Sequence, residues 1–188
     1  LFKPSLIRST VLLTFAYFMH IMTFYFILKW VPKIVVDMGF SPSLAGSVLV
    51  WANVGGLLGC ITLGLLSNRF QIKTLLVFIF LGSSLMVMLF GSEQQSLTQL
   101  SVVVAVAGFF TNAGVVGLYA LFAQYFPDAL RASGSGFAIG VGRGGAAISP
   151  ILAGLLFAAG YGLQSISVLM ALGSALAAIT ILFLVTKR

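Results

Sequence analysis

Apolar residues fall into six long runs separated by short polar or turn-rich stretches. The runs cover residues 9–28, 44–66, 74–90, 97–122, 133–159 and 163–185. An α-helix rises about 1.5 Å per residue, so about 20 apolar residues cross about 30 Å of hydrocarbon, and each run is read as a spanning helix. The separators carry breakers: Pro32, Gly39 and Pro42 lie in 30–43, 91–96 is polar, Pro127 and Asp128 lie in 125–131, and 160–162 is a tight hairpin. Connections this short force successive helices to run antiparallel. The pattern predicts an all-α integral membrane protein, a single six-helix transmembrane domain over residues 1–188.

Composition supports a lipid-facing exterior. Of 188 residues 60% are hydrophobic and 7% charged, against roughly a quarter charged in ordinary soluble domains. The formal net charge of +7 does not indicate nucleic acid, because the cations sit in small groups between the apolar runs. With six crossings, Lys3, Arg8, Arg69, Lys73, Arg131, Lys187 and Arg188 share one side, and only Lys29 and Lys33 occupy the other. That asymmetry places both termini in the cytoplasm. Cys60 stands alone in an apolar run, so no internal disulfide forms. The chain has no initiator Met and its first helix does not read as a signal peptide; a fragment of a longer protein is one reading.

The second and fifth runs are both glycine-rich and hold equivalent places in two three-helix units. Gly46, Gly55, Gly56, Gly59 and Gly64 mark one; Gly134, Gly136, Gly140, Gly142, Gly144 and Gly145 mark the other. Three being odd, the units would run in opposite directions, as in the inverted repeats of transporters. The alternative is that small residues serve only close helix packing.

Arg143 is the leading functional candidate. It lies 12 residues beyond Arg131, roughly 18 Å along a helix, at a depth where a charge costs about 2.5–3.5 kcal/mol on insertion scales. Its helix face carries small residues, among them Gly136, Gly140, Ala146 and Ala147. The acids Asp37, Glu93 and Asp128 all lie in or near loops. An anionic substrate is the favoured counter-charge, since a guanidinium pairs bidentately with a carboxylate. Backbone carbonyls, or an acid from outside the chain, are the alternative. His20, the single histidine, shares a stripe of the first helix with Thr10, Thr14, Tyr17 and Phe24. It suits either a planar acid and a proton relay or a satisfied packing role. Asn112 and Tyr119 share a face of the fourth helix with Ser101, and either line the same cavity or bond between helices. Asn53, among glycines of the second helix, is read as packing.

Other motif matches fail on context. Gly140, Gly142 and Gly145 fit G-x-G-x-x-G, but no strand precedes them. Gly134, Ser135 and Gly136 do not make G-x-S-x-G. One His, one Cys and three acids are too few for a protein metal site. The expectation is no enzyme, no cofactor and no metal.

Three segments together resemble the second half of a major facilitator superfamily transporter, and more narrowly the aromatic acid:proton symporter family. Residues 64–73, including Gly64, Asn68 and Arg69, are similar to the loop signature G-x-L-[SA]-D-R-x-G-R-[RK], with Asn68 in place of Asp and Gln71 in place of Gly. Residues 125–134, including Asp128 and Arg131, resemble Y-P-x-x-x-R-A-[ST]-G with Phe126 inserted before the Pro, and 140–145 resemble G-x-G-R-x-G. Trp30, Val31 and Pro32 are similar to a W-x-P at the outer end of the helix.

The resemblance implies half of a twelve-helix fold in the bacterial inner membrane. It also implies proton-coupled uptake of aromatic or related carboxylates such as benzoates or muconate by alternating access. Arg131 and Arg143 fall on the family's two transport arginines. On this reading Arg143, Tyr17, His20, Asn112 and Tyr119 form the substrate site, while Arg131, Asp128, Gly64, Asn68 and Arg69 form the gating loops. The partners are a small organic acid, protons, the bilayer, and either a missing N-terminal half bearing the family's paired acids or a second copy in a homodimer, with no nucleic acid. The alternatives are a permease for another organic anion and a non-transporting scaffold subunit.

Overall fold

Inside a bilayer the backbone has no water to bond, so each crossing closes its own hydrogen bonds as a helix. The protein, seen in a computed structural model, is described over residues 4–92 and 94–184. Lys3, Glu93, Val185, Lys187 and Arg188, which enter the charge and boundary arguments above, lie outside the described residues. The elements are α1 (Pro4–Asp37), α2 (Pro42–Ser67), α3 (Ile72–Phe90), α4 (Leu97–Tyr125), a short 3-10 turn (Asp128–Leu130), α5 (Arg131–Gly142), α6 (Gly144–Ala158) and α7 (Leu163–Leu182). Helices α5 and α6 together with the 3-10 turn make a single span, Asp128–Ala158, so among the described residues six helices are long and apolar enough to cross a membrane.

Two elements differ from the apolar runs. The first helix does not stop near residue 28 but passes through Pro32 to Asp37, because Val31, Ile34 and Val35 remain buried and their packing outweighs the bond Pro32 cannot make. It ends in a Schellman turn: Phe40 donates to the Val35 carbonyl (3.2 Å) and Gly39 to Val36 (2.9 Å), with Gly39 at φ +85°. The fifth run is not continuous. It breaks at Arg143, between α5 and α6.

Helix packing repeats itself when the first three spans are exchanged with the last three. The second span lies along the fourth as the fifth lies along the first, and the third span packs on the fourth as the sixth packs on the first. Glycines set both close approaches. A Cβ at Gly55 or Gly59 would strike the Ala105 or Phe109 backbone of α4, and one at Gly145 would strike the Phe18 carbonyl of α1. Gly46, Gly64, Gly136 and Gly140 meet nothing, so packing accounts for only part of the glycine pattern.

The exposed end of α7 is held by cations from two other helices. Arg8 donates to the Phe183 carbonyl (3.1 Å), and Lys73 donates to Leu182 (3.2 Å) and Leu184 (2.5 Å). Positive charge complements the negative end of the helix dipole.

The α2–α4 approach gives a direct test. Gly55→Ala gains up to about 1 kcal/mol of helix propensity but overpacks against backbone, which costs about 1–3 kcal/mol. The expected result is a lower thermal unfolding midpoint, whereas Gly46→Ala, in open space, raises it or leaves it unchanged.

Candidate functional site

Arg143 is the middle residue of the Asp128–Ala158 span, fifteen positions from each end. The helix loosens there for local reasons. Glycines flank the arginine on both sides and favour helix interiors least after proline, while Pro150 has no N–H to return to the Ala146 carbonyl. Arg143 N donates to Ile139 O (2.8 Å), and its own carbonyl accepts from Ala146 N, three residues on, at 3.0 Å. Gly142 is pressed against the Tyr17 ring and Gly145 against α1 backbone, so the span is pinned to α1 just where it breaks. The guanidinium emerges on the exposed side of this contact.

Three tyrosines surround it. The guanidinium interacts with the Tyr17 hydroxyl, with Tyr25 and Tyr119 close enough to act on its charge. The Tyr17 and Tyr119 hydroxyls are 3.1 Å apart. Their rings lie 6.0 Å apart, with Phe122 packed at 5.8 and 6.2 Å from them. Tyr17 is 1% exposed and Tyr119 is 38% exposed. A guanidinium only donates, so it can address only the oxygens of these phenols, and either hydroxyl of the Tyr17–Tyr119 pair can be the donor between them.

Tyr17 and Tyr119 lie beside Arg143, Tyr17 buried behind it and Tyr119 partly exposed. His20 does not join them. It is fully buried, its Nε2 donates to the Thr111 carbonyl (2.9 Å) and its Nδ1 lies 2.9 Å from Ser174 Oγ. Ser174 continues to Ser83 (3.0 Å), and the imidazole stacks on Phe80 at 4.5 Å. Of the two roles read for His20, the structure supports the packing role: the buried ring ties α1 to α4 and α7. Asn112 is also elsewhere. Its amide donates to Gly108 O (3.0 Å) and lies against Gly56 of α2. Asn53 is exposed and bonds back to Leu49 O (2.8 Å), so it is not the packing residue the sequence suggested.

The stripe on α1 misleads for a physical reason. This helix contacts every other span, so one polar face is divided between the Arg143 cluster and the protein interior. Tyr25 is the residue that sequence reasoning missed. Its signal was a tyrosine two turns beyond Tyr17 on the same helix.

The two loop motifs converge on the C-terminal turns of α4. Arg131 donates through Nε to Ala123 O (3.1 Å) and pairs with Asp128, closing the α4–α5 connection. The 67–73 turn lies against Ala120, Gln124 and Tyr125. In that turn Asn68 N donates to Leu65 O (3.4 Å) and Arg69 N to Leu66 O (3.0 Å). The Arg69 side chain is exposed, and no neighbour crowds Gly64.

Comparison with known proteins agrees with this architecture. A family profile described as Major Facilitator Superfamily matches residues 13–188. The chain is 31% identical over 188 residues to the 3-(3-hydroxy-phenyl)propionate transporter of Escherichia coli strain K12, covering all of this chain and 46% of that protein. It is 28% identical over 182 residues to the gallate transporter of Pseudomonas putida, covering 97% and 40%. It is 30% identical over 156 residues to the benzoate transport protein of Acinetobacter baylyi, covering 83% and 33%. The chain belongs to the major facilitator superfamily, and it spans less than half the length of these relatives. These relatives are transporters by name, not enzymes.

The His20 assignment makes a measurable distinction. His20→Ala removes a buried ring together with its hydrogen bonds to Thr111 and Ser174, for which a loss of about 2–4 kcal/mol of stability is expected. Thermal unfolding checks it, and unchanged stability with weakened substrate binding would instead return His20 to the site.

Proposed function

We propose that the chain forms one six-helix half of a proton-coupled symporter for aromatic or related carboxylic acids, such as benzoates or muconate. The observation that carries this reading is the exposed Arg143 guanidinium at the centre of a spanning helix, backed by ordered tyrosines. A charge at that depth calls for a counter-charge, and no acid is hydrogen-bonded or ion-paired to it among the described residues. The names of the relatives support an aromatic acid as the ligand.

In this mechanism the substrate carboxylate pairs with Arg143 and accepts from the Tyr119 hydroxyl, while its ring lies against the aromatic wall of Tyr119 and Phe122. Tyr17 positions both donors. A second six-helix half, or a second copy of this one, covers the open face, and the two halves rock around the midplane site to alternate access. Arg131 and Asp128 hold the α4–α5 connection shut and act in gating, together with the Gly64, Asn68 and Arg69 turn. The protein resides in the bacterial inner membrane with both termini of this segment cytoplasmic, following the excess of cations at that end.

Uptake of a labelled benzoate by the complete transporter tests the site. Arg143→Ala is expected to abolish uptake. Arg143→Lys loses the planar fork and is expected to retain about a tenth or less. Tyr119→Phe should raise KM about tenfold with kcat little changed, as expected for loss of one hydrogen bond to a charged group. Normal uptake in both Arg143 variants would refute carboxylate pairing. Uptake that persists after a protonophore collapses the proton gradient would refute symport.

A further inference from the structure

Helices α2 and α3 barely touch, although each packs on α4, and the wedge between them is open at two depths. At the turn end is a cavity of about 460 Å³, whose polar lining includes Asn68, Arg69, Gln71, Lys73 and Gln124. Immediately deeper, the same three helices enclose an apolar cleft of about 170 Å³ lined by Thr62, Leu66, Leu75, Phe78, Phe109 and Ala113, among others. The two share no lining residue, and Leu63 and Leu76 meet against Gly117 between them. Leu66 and Phe78 of the cleft are exposed, so a cationic chamber and an apolar slot follow one another along the outer side of the wedge, an arrangement complementary to an amphipathic anion.

Charge in the chamber is not balanced locally. Lys73 spends its Nζ on the Leu182 and Leu184 carbonyls. Arg69 is exposed and has no hydrogen bond or ion pair from its side chain to the described residues. The chamber contains no carboxylate, since Asn68 stands next to Arg69 where the related loop signature carries an acid. Phe70 of its lining is a large exposed apolar residue, as is Leu66 of the cleft.

We infer that the α2–α3–α4 wedge is a binding site for one anionic phospholipid. Its headgroup phosphate bonds to Arg69, with Gln71 and Gln124 as further donors, and an acyl chain lies in the cleft between Leu66 and Phe78. The anionic lipids of the cytoplasmic leaflet are the source, so the inference rests on the orientation proposed above. Such lipids interact with basic groups near the surface by about 1 kcal/mol per Lys or Arg.

The test is native mass spectrometry of the complete transporter in detergent with added phosphatidylglycerol or phosphatidylcholine, a readout independent of uptake. One retained phosphatidylglycerol per protein is expected, with phosphatidylcholine lost. Arg69→Gln should reduce retention about fivefold, and Leu66→Trp, which fills the cleft, should reduce it while leaving the Arg69 charge in place. Gln124→Leu serves as a second headgroup variant if Arg69→Gln does not fold. Equal retention of phosphatidylcholine would overturn the site, as would retention unchanged by both Arg69→Gln and Leu66→Trp. Displacement by inorganic phosphate alone would show a small-anion site and overturn the lipid assignment. Loss of uptake in Arg143→Ala with lipid retention intact separates this site from the transport site.

Discussion

Hydrocarbon offers no hydrogen bonds, and that single constraint organises the molecule. Many hydroxyl side chains in the spans find a backbone carbonyl, on their own helix for Thr62 and Ser101 and on another for Ser84 and Ser149, whereas the buried Thr14 and Ser167 hydroxyls have no partner among the described residues. His20 is acceptable in the interior only because both nitrogens have partners. Carbonyls at the end of α7 accept from Arg8 and Lys73 of other helices. Arg143 is unusual: it sits at the middle of its span, with tyrosines near enough to act on its charge and no opposite charge paired with it among the described residues.

Much of the architecture was legible because spanning length and apolar run length are tied by the rise of a helix. The extension of α1 past Pro32 was hidden, since a proline reads locally as a stop while the burial of Ile34 and Val35 is a tertiary fact. The break at Arg143 was half visible in the surrounding glycines. Its position beside Tyr17 and Phe18 was not, because nothing along the chain tells which turn of α1 the glycines will meet.

The site was legible in part for the same reason. Depth singled out Arg143, and helical spacing put Tyr17 and Tyr119 among the aromatic candidates. Helical spacing also grouped His20 with Tyr17, although three residues around a central helix are enough to turn one toward the arginine and the other toward Ser174. Asn112 failed similarly: it shares a face with Tyr119, but Gly56 of α2 leaves a gap that its amide fills. Periodicity identifies a face. It does not say whether that face looks onto water or onto another helix.

The exchange of triplets noted in the packing has an implication for how such a molecule diversifies. Both copies of the three-helix scaffold use glycine to bring one helix hard against its neighbour, at Gly55 and Gly59 in one and at Gly145 in the other. Only one copy sets a cation into that seam. The repeated frame thus supplies rigidity twice over, while the cation is particular to one copy, so exchanging side chains at that seam can change the chemistry of one unit and leave the shared skeleton untouched.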